Sequence, residues 1–318
     1  MTKARSDDLL FRVGTGVFAL LVIIVVVAIG VALGWQSRLS LREFGWQFWQ
    51  TQTWDPVAGQ FGARPFIWGT LYSSVLALII AAPVALGIAI YISELAPGWL
   101  QRPLVFLTEL LAAIPSIVYG LWGVFVLVPF VRQLESGAPA WMRALPLFSG
   151  PPLGIGMLAA GLILAIMVIP FTSSIAREVL RSVPQAQREG AYALGATRWQ
   201  VCKDHIVPYS SAGILTGIII GMARAIGETA PIITIGAFTF IAFLPPSPLK
   251  AEAPFLSFDW LMSPFTVMPI QMFNWTSRPE AAFLQNAAAA GFVLVLMTLA
   301  MNGFAIWLRY RLRKNIKW

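Results

Sequence analysis

Two ionisable residues interrupt an apolar stretch of the chain. Arg224 and Glu228 lie within GMARAIGETAPII, four residues apart and so on one face of a helix. A charge at mid-bilayer costs at least about 2.5–3.5 kcal/mol, so such residues face a bundle interior or a water-filled path. The Arg224 guanidinium stays charged when desolvated and presents a planar fork of donors matched to oxyanions. Glu228 offsets that charge. Its carboxylate can also accept a hydrogen bond from the protonated oxygen of hydrogen phosphate, a donor that sulfate lacks at neutral pH. The chemistry expected is passage of an oxyanion. The alternative is an ion pair that only pins the bundle.

A second polar group follows Pro115 in TELLAAIPSIVYG. Ser116 and Tyr119 offer hydroxyls near mid-membrane and are candidates to line the same path. Glu109, at the edge of that segment, reads as interfacial or structural. Cys202 is the single cysteine and His205 the single histidine, so neither an internal disulfide nor a metal site is expected. Neither G-x-G-x-x-G nor G-x-x-x-x-G-K-[ST] occurs, and carboxylates do not cluster. No nucleotide pocket, no cofactor on this chain and no enzyme active site are expected.

The elements that hold these residues must be membrane helices. Charged residues are 11% of the 318, against about 25% in ordinary soluble domains. Hydrophobic residues are 58%, and mean hydropathy is +0.75. Such a chain buries its apolar surface in lipid, and an open sheet edge cannot exist there. The fold class expected is all-α: a polytopic bundle of six transmembrane helices near 13–35, 66–93, 104–131, 152–175, 210–244 and 287–308. The first run is longer than a signal-peptide core and lacks a clean A-x-A site, so a retained helix is expected. Pro115 should kink the third span. Pro231, which cannot bond the carbonyl of Gly227, should kink the fifth beside its charges. Gly213, Gly217 and Gly221 form a small-residue ladder that suits close packing, within the chain or against a second membrane chain.

Lysine and arginine set the orientation. Fourteen fall on one side: Lys3, Arg5, Arg12, Arg102, Arg177, Arg181, Arg188, Arg198, Lys203, Arg309, Arg311, Arg313, Lys314 and Lys317. Seven fall on the other: Arg38, Arg42, Arg64, Arg132, Arg143, Lys250 and Arg278. Both termini are therefore expected in the cytoplasm, residues 1–12 as the amino terminus and 309–318 as a basic tail. The net charge of +8 sorts to +8 on the cytoplasmic side, +1 outside and −1 in the membrane. The basic excess reads as a topological anchor, with no nucleic-acid partner, and not as an anion-binding surface.

Between the ends, residues 36–65 form an outer loop, and 66–308 form a five-helix core with a second outer loop at 245–286. Both loops carry aromatics, among them Phe48, Trp49, Phe265 and Trp275. These suit either an interfacial belt or a docking surface for an external partner. The cytoplasmic loop at 176–209 is more specific. Pro184 suits the start of a short helix, Gly195 its end, and Pro208 the entry to the next span. A helix–turn–helix between spans can act as a lever, with Tyr192 and Leu194 as apolar knobs for a partner's groove.

Glu189-Gly190-Ala191, then Gly195 and the closing His205-Ile206-Val207-Pro208, resemble the EAA loop of ABC-importer permeases. Gly190 stands where that pattern has Ala, and His205-Ile206-Val207 where it has Ile-x-Leu. Longer blocks (WDPVAGQFGARPFIWGTLYSS, ELLAAIPSIVYGLWGVFVLVP, REGAYALGATRWQ and ARAIGETAP) look like the PstC family of phosphate-specific permeases, while the carboxyl part looks partly like the sister PstA family. The resemblance implies a type I (MetI-like) permease in the bacterial inner membrane. It forms half of a phosphate pathway with a PstA-like second permease. A homodimeric cytoplasmic ATPase binds ATP and Mg, and an extracytoplasmic phosphate-binding protein delivers the anion. It assigns coupling to Glu189, Ala191 and Gly195 and phosphate passage to Arg224 and Glu228. Another oxyanion such as sulfate or molybdate, or a proton-coupled secondary transporter using Glu228 and Glu109, are the alternatives.

Overall fold

The computed structural model describes residues 2–45, 47–55, 60–137, 154–235, 244–250, 255 and 257–314. Helix α1 spans Thr2–Phe44 and α2 Gln47–Gln50. Strands β1 (Trp54–Asp55) and β2 (Gln60–Phe61) pair antiparallel, Trp54 opposite Phe61. Helix α3 (Arg64–Ile90) continues through a π-helical turn to Leu95. Then come α4 (Gly98–Ala113), α5 (Ser116–Trp122), a π turn at Gly123–Leu127, and α6 (Val128–Gly137). Helix α7 is Met157–Arg181, α8 Gln185–Ala193 and α9 Arg198–Val201. A π turn at Cys202–Ile206 leads into α10 (Val207–Gly227), followed by α11 (Ala230–Thr234). Helices α12 (Asp259–Met262), α13 (Met268–Thr276) and α14 (Ala281–Lys314) complete the order.

Among the described residues, six helical runs are long and apolar enough to cross a membrane: Phe11–Arg38, Arg64–Leu95, Ser116–Leu134, Met157–Arg181, Arg198–Gly227 and Ala281–Arg311. Their order is the one expected, but several boundaries move, the fifth run starting at Arg198 and the sixth at Ala281. The third span starts at Ser116 and not at Leu104, because proline disfavours α conformation in the residue before it. Ile114 is accordingly extended (φ −66°, ψ 128°), and α4 becomes a separate helix carrying Glu109. The fourth runs on to Arg181, which takes Arg177 out of the loop. The fifth is broken outright: α10 ends at Gly227 and Glu228 is extended (φ −76°, ψ 132°), with Pro231 in the first turn of α11. The part of that expected span at 236–243 lies outside the described residues, as does the start of the expected fourth span at 152–153.

Helix α7 is the axis of the bundle. Small residues let its neighbours close on it. Ala77, Ala81, Ala85 and Ala89, spaced by four on α3, are all fully buried. A Cβ on Gly221 would stand 2.7 Å from the Thr172 hydroxyl, and one on Gly217 3.2 Å from Ile175, both on α7. Gly213 faces Val179 of the same helix. The glycine ladder therefore serves packing within the chain.

Three apolar clusters stack along the bundle. The central one joins α3, α5, α7, α10 and α11 through residues such as Leu76, Ile163, Leu164 and Ile232. At the end bearing residues 182–206, here the loop end, Leu180, Ala191, Val201, Ile206 and Ile214 pack together. At the far end, Phe48, Phe61, Phe66, Trp275 and Phe283 form a third core. Phe61 meets Phe283 and Phe66 meets Trp275 edge to face, at 5.5 and 5.6 Å between centroids. Phe48, Phe265 and Trp275 are thus core residues, and an interfacial belt does not describe them. Thr70 fastens the far-end loop by accepting a hydrogen bond from the Met268 amide at 2.9 Å. Ser40 donates to Asn286 Oδ1 at 2.7 Å and ties α1 to α14.

Candidate functional site

The two helix breaks meet. Gly120 on α5 lets that helix approach α11 closely, since a Cβ there would stand 2.7 Å from Pro231 Cα. This contact sets the first residue of α5 beside the end of α10. The Ser116 hydroxyl lies within interaction range of the Glu228 carboxylate, although 112 positions separate them in the chain. Glu228 in turn pairs with Arg224, Oε1 to Nε 3.2 Å. Arg224 stands in the last turn of α10, where the helix dipole favours a cation. Its Cζ lies 4.1 Å from the centre of the Phe171 ring on α7, a cation–π contact that helps hold the charge in an apolar bundle.

The side chains of Arg224 and Glu228 are 32% and 15% exposed, so the pair is sheltered but open on one side. Among the described residues nothing hydrogen-bonds to the Arg224 Nη atoms. Among those residues the outer edge of the fork is unengaged. Tyr119 is one turn from Ser116 and within electrostatic reach of Arg224. Its hydroxyl, however, donates to the Leu111 carbonyl at 2.7 Å, where it spans the break between α4 and α5. All four residues expected along the path are thus brought together. Tyr119 is a clamp of the break; Ser116 is a contact of the ion pair.

The loop residues form a second site at the loop end. Helix α8 begins after Pro184 and closes with a Schellman motif: Ala196 N donates to Ala191 O (3.2 Å) and Gly195 N to Tyr192 O (2.9 Å). Gly195 adopts φ +85°, a left-handed conformation that costs other L-residues energy. Thr197 and Gln200 then form a capping box that starts α9. That T-x-x-Q spacing is the local signal for this helix start, and sequence reasoning did not draw on it. Ala191 is buried in the loop-end core, whereas Glu189 faces solvent. Leu194 is 91% exposed and Tyr192 and Trp199 are also exposed, so the turn projects apolar knobs outward. Sequence reasoning missed the residue that holds this lever. Arg188 pairs with Glu94 at the end of α3, and its Nη2 donates to Leu180 O at 2.7 Å. Glu109, on α4, pairs with Arg177 of α7, Oε1 to Nη2 3.3 Å, and takes no part in the Arg224–Glu228 pair.

A helical bundle whose broken spans shelter a charged pair, with a rigid two-helix loop at one end, is the architecture of a membrane permease. Residues 84–318 match the family described as binding-protein-dependent transport system inner membrane component, and the chain belongs to that family. A relative from Pasteurella multocida, named phosphate transport system permease protein PstC, is 40% identical over 97% of this chain and 93% of its own length. A protein of the same name from Haemophilus influenzae is 46% identical over 73% of this chain and 77% of its own. Among solved structures, the inward-facing MetNI methionine ABC transporter aligns with a TM-score of 0.55. That match covers 78% of this chain and 94% of the other, at 16% identity. The fold is that of a type I importer permease. The chain is an inner-membrane transport component and not an enzyme.

Proposed function

We propose that this chain is the permease subunit of an ATP-driven importer of inorganic phosphate and forms half of its translocation path. The observation that carries the reading is the Arg224–Glu228 pair, held at the meeting point of two broken helices with the guanidinium edge open. Kinship with proteins named as phosphate permeases supports the choice of anion. Arg224 offers its fork to the phosphate oxygens, and Glu228 accepts from the protonated oxygen. A carboxylate has about four lone-pair positions, so Ser116 and Arg224 leave room for that bond. A binding protein delivers the anion, and a homodimeric cytoplasmic ATPase, which holds ATP and Mg, docks on the knobs around Glu189, Ala191 and Gly195. This chain contributes no cofactor. A PstA-like second permease completes the path. Both termini and the loop end face the cytoplasm, as the basic residues there favour. A proton-coupled secondary transporter is disfavoured by membership in a binding-protein-dependent family.

The test is uptake of labelled phosphate into vesicles containing the reconstituted complex. Uptake should require ATP and the binding protein, survive collapse of the proton gradient, and resist competition by sulfate. ATP-independent uptake, or equal inhibition by sulfate, would overturn the reading.

A further inference from the structure

We propose that a cleft between α4 and α7, at the loop end, binds a phosphate group. The cleft has a volume of about 410 Å³ and is lined by Gln101, Arg102, Phe106, Glu109, Arg177 and Arg181. Three guanidiniums face one carboxylate, which leaves two positive charges uncompensated. Arg102 and Arg181 are exposed and have no ion-pair partner among the described residues. Arg177 is different in kind. Its side chain is only 9% exposed, Glu109 meets it through Nη2 alone, and its Nε is buried with no hydrogen-bond partner. Glu109 engages only one edge of the guanidinium, so Arg177 keeps capacity for a further acceptor. Gln101 and Arg102 belong to the opening turns of the 16-residue α4, whose dipole adds a positive end there. Arg181 closes α7, where a cation offsets the negative end.

A tetrahedral, doubly charged oxyanion matches this arrangement. Planar guanidiniums bind phosphate oxygens in pairs, and three of them converge from two helices. Two sources supply such a group: free inorganic phosphate and the headgroup of an anionic phospholipid. The cleft is separate from the Arg224–Glu228 pair, so the proposal stands whichever anion the permease carries.

The experiment uses the full chain in its complex, purified in dodecyl maltoside with Arg224→Gln to silence the pathway pair. Equilibrium binding of labelled inorganic phosphate is measured, and retention of added phosphatidylglycerol is counted by native mass spectrometry. The companion variant adds Arg102→Gln and Arg181→Gln, both exposed side chains, and keeps the Arg177–Glu109 pair. A tenfold or greater loss of phosphate affinity marks a free-anion site. Loss of one retained phosphatidylglycerol with phosphate unaffected marks a lipid site. Equal behaviour of both probes in the two proteins overturns the proposal. Should the double substitution misfold, Arg102→Gln alone carries the same comparison.

Discussion

At Arg224 the question is what the guanidinium has left to offer. Glu228 pairs with it by charge, 3.2 Å from its Nε, and Phe171 covers one face, which holds the side chain without engaging the Nη atoms. Arg224→Gln shortens the side chain, keeps an amide donor and removes charge and fork. We expect phosphate uptake to fall to background while the protein stays in the membrane at normal abundance; normal uptake would reduce the pair to a structural bridge. Glu228→Gln keeps the Ser116 contact and loses the negative charge. It should change the rate of phosphate uptake or its preference over sulfate, checked by competition in the same vesicles, and an unaltered profile would count against a role in proton recognition. That Arg224 and Glu228 would shelter together inside the bundle was legible in the sequence, because a charge in an apolar run is costly wherever the chain folds. The Ser116–Glu228 contact was not legible, since it depends on how two distant helix breaks align. Nor was the Arg188–Glu94 pair, because an arginine in a polar loop looks like any other.

The elements explain which parts of the fold could be read. Prolines at 115 and 231 announced irregularity, but a kink and a complete break have the same local signature. Only the packing of α5 on α11 leaves each chain end extended at the same level. The loop was read more fully because its signals are local: proline before α8, glycine after it, proline into α10. Gly195 supplies a test at this scale. Its Cβ position is open, so a substituent meets backbone strain of about 1–2 kcal/mol and no clash. Asparagine and aspartate both tolerate left-handed backbone; only aspartate adds charge to the projecting turn. Gly195→Asp should therefore uncouple ATP hydrolysis from uptake, and Gly195→Asn should do so far less, as measured by the ratio of hydrolysis to transport. Equal coupling in the two would remove the docking assignment. Gly221 tests the seam between α10 and α7. Leucine there must displace Thr172 and Val168, at roughly 1–3 kcal/mol for overpacking. Gly221→Leu should lower the amount of folded protein in the membrane, whereas Gly87→Ala, with open space around it, should not.

Across the whole molecule, charge and packing divide the work. The central cluster holds spans together with small residues and aliphatics, and the far end closes with an aromatic core. The ionisable groups gather at the loop end. Counting lysines and arginines captured the direction of that asymmetry but treated each as an equivalent anchor. The fold distinguishes them: Arg188 is clamped to Glu94, Arg177 is buried beside Glu109, and Arg102 and Arg181 stand free at a cleft. The far end has its own small polar fastening, where Lys250 and Ser257 hold the Asp259 carboxyl below its usual range. That contribution is present above the ordinary carboxylate pKa and fades only as pH falls through the lowered one, so the loop stays fastened at neutral pH. Orientation is then a testable property of the molecule. The single native Cys202 is buried and gives a low labelling background. Lys203 is exposed at the loop end and Phe255 at the far end. A membrane-impermeant maleimide should label Lys203→Cys only in inside-out vesicles and Phe255→Cys only in right-side-out ones. The fourteen-to-seven excess of basic residues favours this result, because moving the loop end outward would carry Lys203, Arg188 and Arg198 across against the bias that orients short loops. The opposite labelling would place the coupling turn beyond reach of a cytoplasmic ATPase.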